Sequence, residues 1–132
     1  MDGTTFRAPD STDNRAHFGA QAYASGKVAS YPQVRAVSVT ALPTHLVSDI
    51  AFGPYGQNEM RYAKTLVERI ADHSLTVFDR GFLSAEILLG LTHLGEQRHY
   101  LIPAKSNTKW ERLSGTDDDG LAAALLASSV ED

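Results

Sequence analysis

The sequence predicts an α/β fold, a mixed β-sheet with flanking helices, on three observations. Residues 34–42 and 46–52 are β-branched, roughly alternating runs, which read as two adjacent strands joined by a short turn. From Asn58 onward the apolar residues recur at helical spacing instead. A short apolar run then ends in the carboxylate of Asp79, and a second apolar helix pattern follows it.

Asp2 to Arg7 counts as the first strand, and residues 8–32, rich in Pro, Asp, Ser, Asn, Gly and Ala, read mostly as loop from Pro9 to Pro32. Val34 to Leu42 forms the second strand, which Pro43 breaks, and the third resumes with Leu46, Ser48, Ile50 and Phe52 on one face. Gly53-Pro54-Tyr55-Gly56 ends it. Met60, Ala63, Leu66, Val67, Ile70 and Ala71 then line one face of an amphipathic helix over residues 58–72, with Asn58 as its cap. The run Ser74-Leu75-Thr76-Val77-Phe78 delivers Asp79 to a strand end, and Gly81 lets the backbone turn. Ser84 is positioned as N-cap of a helix carrying Ile87, Leu88, Leu91 and Leu94, which Gly95 terminates. A last strand, His99 to Ile102, runs into Pro103.

Composition bounds what such a fold carries. With 132 residues and 42% hydrophobic content the chain suits one domain with a modest core, so two domains are not expected. There is no cysteine, which excludes disulfides and thiolate metal sites. No apolar run approaches the roughly 18 to 20 residues that cross a bilayer, and Met1-Asp2-Gly3 begins nothing like a signal peptide; a soluble cytoplasmic protein without membrane contact is the expectation. The formal net charge is −4, and no stretch clusters Lys and Arg as proteins that grip nucleic acid alone usually do. Lys105, Lys109 and Arg112 do bracket Trp110, while Asp117-Asp118-Asp119 reads as a solvated acidic run. The five histidines lack metal-ligand spacing, and neither a phosphate-binding glycine loop nor a serine nucleophile elbow is present.

The two carboxylates carry the chemistry. Strand-end placement of Asp79, with Asp2 on the first strand, suggests metal-dependent phosphoryl transfer, because hard divalent cations prefer a few oxygen ligands and keep several waters. The element order strand, strand, strand, helix, strand, helix, strand is the ribonuclease-H-like order. A fold of that kind places one carboxylate on the first strand and another just after the fourth, with those strands neighbours in the sheet. Those positions are Asp2 and Asp79.

Further residues carry a family resemblance. Asp2-Gly3-Thr4-Thr5-Phe6-Arg7, Asp10-Ser11, Asn14, Phe18-Gly19, Tyr31-Pro32-Gln33-Val34-Arg35 and Val77-Phe78-Asp79-Arg80-Gly81-Phe82 together resemble the DDE transposases of bacterial insertion sequences, specifically the IS-four group. The resemblance spans roughly Asp2 to Arg112. It implies that Asp2 and Asp79 are catalytic and bind metal, Mg2+ or Mn2+, with no residue needed as general base. It implies DNA as partner, at transposon ends and target, in a bacterial, nucleoid-associated setting. Arg80, Lys105, Lys109 and Arg112 are the candidate DNA-binding residues. For Arg80, phosphate contact and pairing with a carboxylate both stand. For Lys105, Lys109 and Arg112, a DNA path and a solvated loop both stand. Trp110 is read as covering a sheet edge rather than stacking on a base.

The chain departs from that family at both ends. The family's third acid, a glutamate on a downstream helix within a Tyr, Arg, Glu, Lys pattern, has no counterpart, since Glu111 and Glu131 lack the pattern. The first strand begins at Asp2, and residues 120–132 are an Ala/Leu-rich tail with high helix propensity. The expectation is a partial ribonuclease-H-like transposase domain over residues 1–112, incomplete at both ends, with an acidic linker and unrelated tail over residues 113–132. Such a chain is expected to be a truncated, inactive remnant. The alternative is a non-catalytic protein that associates with itself or with a full-length transposase.

Overall fold

A computed structural model describes residues 1–106 of the chain. Its elements run β1 (Asp2–Arg7), α1 (Thr12–Phe18), β2 (Gln33–Ala41), β3 (Leu46–Pro54), α2 (Glu59–Val67), β4 (Ser74–Val77), a single 3-10 turn (Arg80–Phe82), α3 (Ala85–His93) and β5 (Arg98–Leu101). The α/β class is therefore as expected. The described chain divides into two compact units, Met1–Leu66 and a second beginning at Val67. The strands divide between two sheets as well. β1, β2 and β3 form an antiparallel sheet in that order, and β4 pairs in parallel with β5. Sequence alternation finds strands from side-chain faces but carries no information on which backbone edges pair.

In the first unit, register explains the two faces of the sheet. Asp2, Ser38 and Ile50 lie side by side across the three strands, as do Thr4, Ala36 and Phe52, whereas Gly3, Val37 and Ala51 lie on the opposite face. Helix α2 covers the Gly3 face. A Cβ at Gly3 would stand 2.8 Å from the Glu59 carboxylate, and one at Gly53 would stand 2.6 Å from the Tyr62 hydroxyl. Tyr62 Oη donates to the Pro54 carbonyl at 3.1 Å, which fixes that approach. Val37, Ala63 and Leu66 are buried beneath it, while Phe6, Ile50 and Phe52 stay exposed on the other face. A register shift at Val39 and Thr40 bends the far end, where Ser48 Oγ donates to the Val39 carbonyl.

Residues 8–32 are more ordered than a loop. Ser11 caps α1 by accepting from Asn14 N at 3.2 Å, Asp13 stands in the first turn, and Gly19 closes the helix at φ 73°. None of its residues is buried, so it has no apolar stripe to reveal it in the sequence. Arg15 pairs with Asp10 and donates to the Ser30 carbonyl, and the Arg7 guanidinium stacks on the Tyr31 ring at 4.3 Å.

Helix α2 begins where expected, with Asn58 Oδ1 accepting from Met60 N at 3.0 Å, but it stops at Val67 rather than at residue 72. Its apolar spacing continues through buried Ile70, yet His73 adopts φ 53° and the chain must reverse into β4. The second unit is built on Phe78, Phe82, Ile87, Leu88 and Leu91, all buried, with α3 lying against β5. Ser84 occupies the N-cap position of α3, but its side chain makes no capping hydrogen bond. Gly95 does more than end that helix. A Cβ there would collide with the Arg98 guanidinium and with Asp72 Oδ1, the pair that ties the loop before β4 to β5 at 2.8 Å. Asp72 also accepts from Glu96 N, and these hydrogen bonds, from the backbone first and then from Arg98, hold its carboxyl below the ordinary range.

Candidate active site

Asp2 stands at the start of β1, exposed, on the sheet face opposite α2. Its Oδ1 accepts from the amide of Gly3 at 2.8 Å, which leaves the second oxygen and the outer lone pairs for another partner. Burial pushes the neighbouring Met1 amino group down, and the Asp2 carboxylate opposes that shift. The strand is pinned through its whole length, since Asp2 to Arg7 each pair with β2, from Ser38 to Gln33.

Behind Asp2 lies a polar group of side chains that no sequence pattern announced. The Glu59 carboxylate lies over the Cα of Gly3, so close that any side chain at Gly3 would displace it. Arg35 Nε faces Glu59 Oε1 at 3.9 Å, its Nη1 donates to the Gln57 carbonyl at 3.0 Å, and its guanidinium stacks on the Tyr55 ring at 4.4 Å. Arg35 Nε itself is buried without a hydrogen bond. The glutamate that follows a helix cap was the available signal, but only the fold brings it to Gly3.

Asp79 is held differently. It is exposed, two residues past β4, at the N-cap position of the Arg80–Phe82 turn, with φ −69° and ψ 149°. Its carbonyl accepts from Phe82 N at 3.0 Å, but its carboxylate makes no capping hydrogen bond. Phe78 and Phe82 on either side are both 2% exposed, with ring centroids 6.4 Å apart. Two buried rings thus anchor the backbone, and the carboxylate between them is left in solvent. Gly81 is not in the left-handed region, and a Cβ there would meet only Asp79 Oδ2 at ordinary contact, 3.4 Å.

Both carboxylates are oxygen donors of the kind that hard divalent cations take, and neither is consumed by an ion pair with a described side chain. Among the described residues no group of three or more His, Asp and Glu side chains is gathered for a metal ion. Of the candidate DNA contacts, Arg80 and Lys105 are exposed, whereas Lys109 and Arg112, like Trp110, Glu111 and Glu131, lie outside the described residues. No helix of the described residues is long and apolar enough to cross a membrane.

A family profile described as Transposase DDE domain matches residues 1–128. The chain is 36% identical over 113 residues to Transposase InsG for insertion sequence element IS4 of Escherichia coli K12, covering 86% of this chain and 25% of that protein. It is 34% identical over 113 residues to the Putative transposase InsZ of the same organism, covering 86% of this chain and 38% of that protein. The chain therefore spans between about a quarter and two fifths of the length of these relatives. No solved structure matches it. With a family match running through nearly its whole length, and two curated relatives over most of it, the chain belongs to the transposase DDE domain family.

Proposed function

We propose that Asp2 and Asp79 are the first two acids of a DDE transposase catalytic centre, and that the parent activity is metal-dependent DNA cleavage and strand transfer. The observation that carries this reading is the match of residues 1–128 to the family, combined with two exposed carboxylates at strand ends. The proposed parent fold is the ribonuclease-H-like sheet, completed by segments that this chain does not match.

In this reading Asp2 and Asp79 hold Mg2+ or Mn2+ through carboxylate oxygens. When bound there, such a cation would supply Lewis-acid activation of an attacking oxygen and stabilisation of a leaving oxygen. The chain's own residues contribute position and charge. The β1–β2 ladder fixes Asp2, the Phe78 and Phe82 anchors fix Asp79, and exposed Arg80 and Lys105 supply positive charge for phosphate. DNA, at transposon ends and target, is the proposed partner, in the bacterial cytoplasm at the nucleoid.

The isolated chain is proposed to be inactive, because the third acid of the family pattern has no counterpart in its sequence. Purified protein is expected to leave supercoiled plasmid intact in Mg2+ or Mn2+. Robust nicking that Asp79→Ala abolishes would overturn the inactivity while supporting the enzymatic site.

A second reading, a binding protein that associates with itself or with a full-length transposase, draws on the exposed apolar side chains. Phe6, Ile50 and Phe52 are open on the first sheet, and Leu75 and Leu101 on the second. Sedimentation of the chain alone and with a full-length relative separates the two readings. A monomer that ignores the relative leaves the second without support.

A further inference from the structure

The Glu59 side chain touches the strand that carries Asp2, yet belongs to no motif of the proposed site. Its Cδ and Oε2 both lie 2.8 Å, and its Oε1 3.2 Å, from the point where a Cβ on Gly3 would stand. This is a seat made possible by glycine, since no other residue leaves that volume free. The carboxylate is in turn backed by Arg35, whose Nε faces it at 3.9 Å, and Arg35 is braced by the Gln57 carbonyl and the Tyr55 ring. Arg35 also stands opposite Thr5 in the β1–β2 ladder, so the brace and the strand share one register.

The peptide that Glu59 presses on is the one whose amide holds Asp2. Gly3 N donates to Asp2 Oδ1 at 2.8 Å, so the orientation of the Gly3 peptide sets the orientation of the Asp2 carboxylate. Strand alternation puts Asp2 on the face away from α2, so Glu59 acts from behind the strand and not as a ligand beside it. β1 lies at the edge of its sheet, and β2 is its only hydrogen-bonded neighbour among the described strands. An edge strand held on one side gains most from a side chain that fixes it from the covered face.

We infer that Glu59, backed by Arg35, is a positioning residue for Asp2. It seats the Gly3 backbone so that the Asp2 carboxylate is presented in one orientation to a divalent cation. The inference rests on Asp2 being a cation ligand, as proposed above. Its effect on Gly3 is one of packing, because the carboxylate meets a Cα there, while Arg35 is its charged partner at the long distance of 3.9 Å. A glutamine, equal in shape, therefore keeps the seat, and an alanine empties it.

The test is a titration of the full, isotope-labelled chain with Mn2+ alone, following paramagnetic broadening of the Gly3 and Thr4 amides by NMR. Asp2→Asn identifies the broadening that belongs to Asp2, and the Val37 amide reports that the sheet is intact. The expected result is a midpoint about tenfold higher in Glu59→Ala and within about twofold of the unaltered chain in Glu59→Gln. A merely structural role would not separate those two variants at constant Val37 shift. A Glu59→Ala midpoint equal to that of the unaltered chain overturns the positioning role while leaving Asp2 a ligand. Absence of Asp2-dependent broadening in the unaltered chain overturns the metal reading and this inference with it. Should Glu59→Ala fail to fold, Glu59→Asp decides the matter. It keeps charge at the helix start but withdraws it from Gly3; about threefold weakening is expected, and no change overturns the inference.

Discussion

Asp2 and Asp79 occupy corresponding roles in the proposed chemistry, but the chain holds them by opposite means. Asp2 sits in a strand whose every residue is paired, beside a glycine against which Glu59 packs with Arg35 behind it. Asp79 sits outside its short strand, between two buried phenylalanines, with a carboxylate that caps nothing. One is placed by backbone hydrogen bonds and polar packing, the other by aromatic burial. Both devices leave the carboxylate in solvent while fixing the backbone beneath it. The difference predicts that Asp2 responds to changes in side-chain shape near Gly3, and that Asp79 responds to changes in the hydrophobic core.

The largest effect should come from the aromatic anchor. Phe82 is 2% exposed, and Phe82→Ala is expected to destabilise the chain by about 3–5 kcal/mol, the usual cost of emptying a buried aromatic site. Urea unfolding followed by circular dichroism measures it, and a loss below about 1 kcal/mol would mean that the ring is not an anchor. The next tests the approach of α2 to the first sheet. Gly53→Ala drives a methyl group into the Tyr62 hydroxyl, which must then leave the Pro54 carbonyl, at an expected cost of about 1–3 kcal/mol in the same measurement.

A smaller effect is expected from the ion pair that closes the second unit. The Asp72 carboxyl is held below its ordinary value by Glu96 N and Arg98, so its folded form binds a proton less readily than the unfolded chain does. The stability it contributes is present above the unfolded carboxyl value, near pH 4, and is lost as pH falls through the lower folded value. Asp72→Asn should remove that part of the acid sensitivity, visible as a shallower loss of stability below about pH 4. An unchanged acid profile would break the argument. The smallest effect is expected at Gly81, where Ala meets only an ordinary contact, so Gly81→Ala should change stability by no more than about 0.5 kcal/mol. Gly3 and Gly81 both stand in acid-containing motifs, yet only the first is required by a close approach.

Much of the fold was legible because it is written in local patterns. β1 to β3, the start of α2 at Asn58 and the strand leading to Asp79 follow from alternation, period and turn residues. α1 escaped because it buries no residue and so leaves no apolar period, although Ser11, Asp13 and Gly19 mark its ends. The end of α2 escaped because apolar spacing runs on to Ile70 while the chain has already turned. The division into two sheets is a matter of which backbone edges meet, and alternation does not encode it. At the candidate site the two aspartates were visible as strand-end carboxylates. The seat of Glu59 on Gly3 was not, because it joins residues far apart in sequence and depends on where α2 crosses the sheet.

In the proposed chemistry both Asp2 and Asp79 are ligands for a divalent cation. Calorimetric titration of Mn2+ into the full chain, beside Asp2→Asn and Asp79→Asn, tests it most directly. The expected result is a binding heat that each substitution diminishes. Binding in Asp79→Asn indistinguishable from that of the unaltered chain, or no binding heat in any of the three, would contradict it.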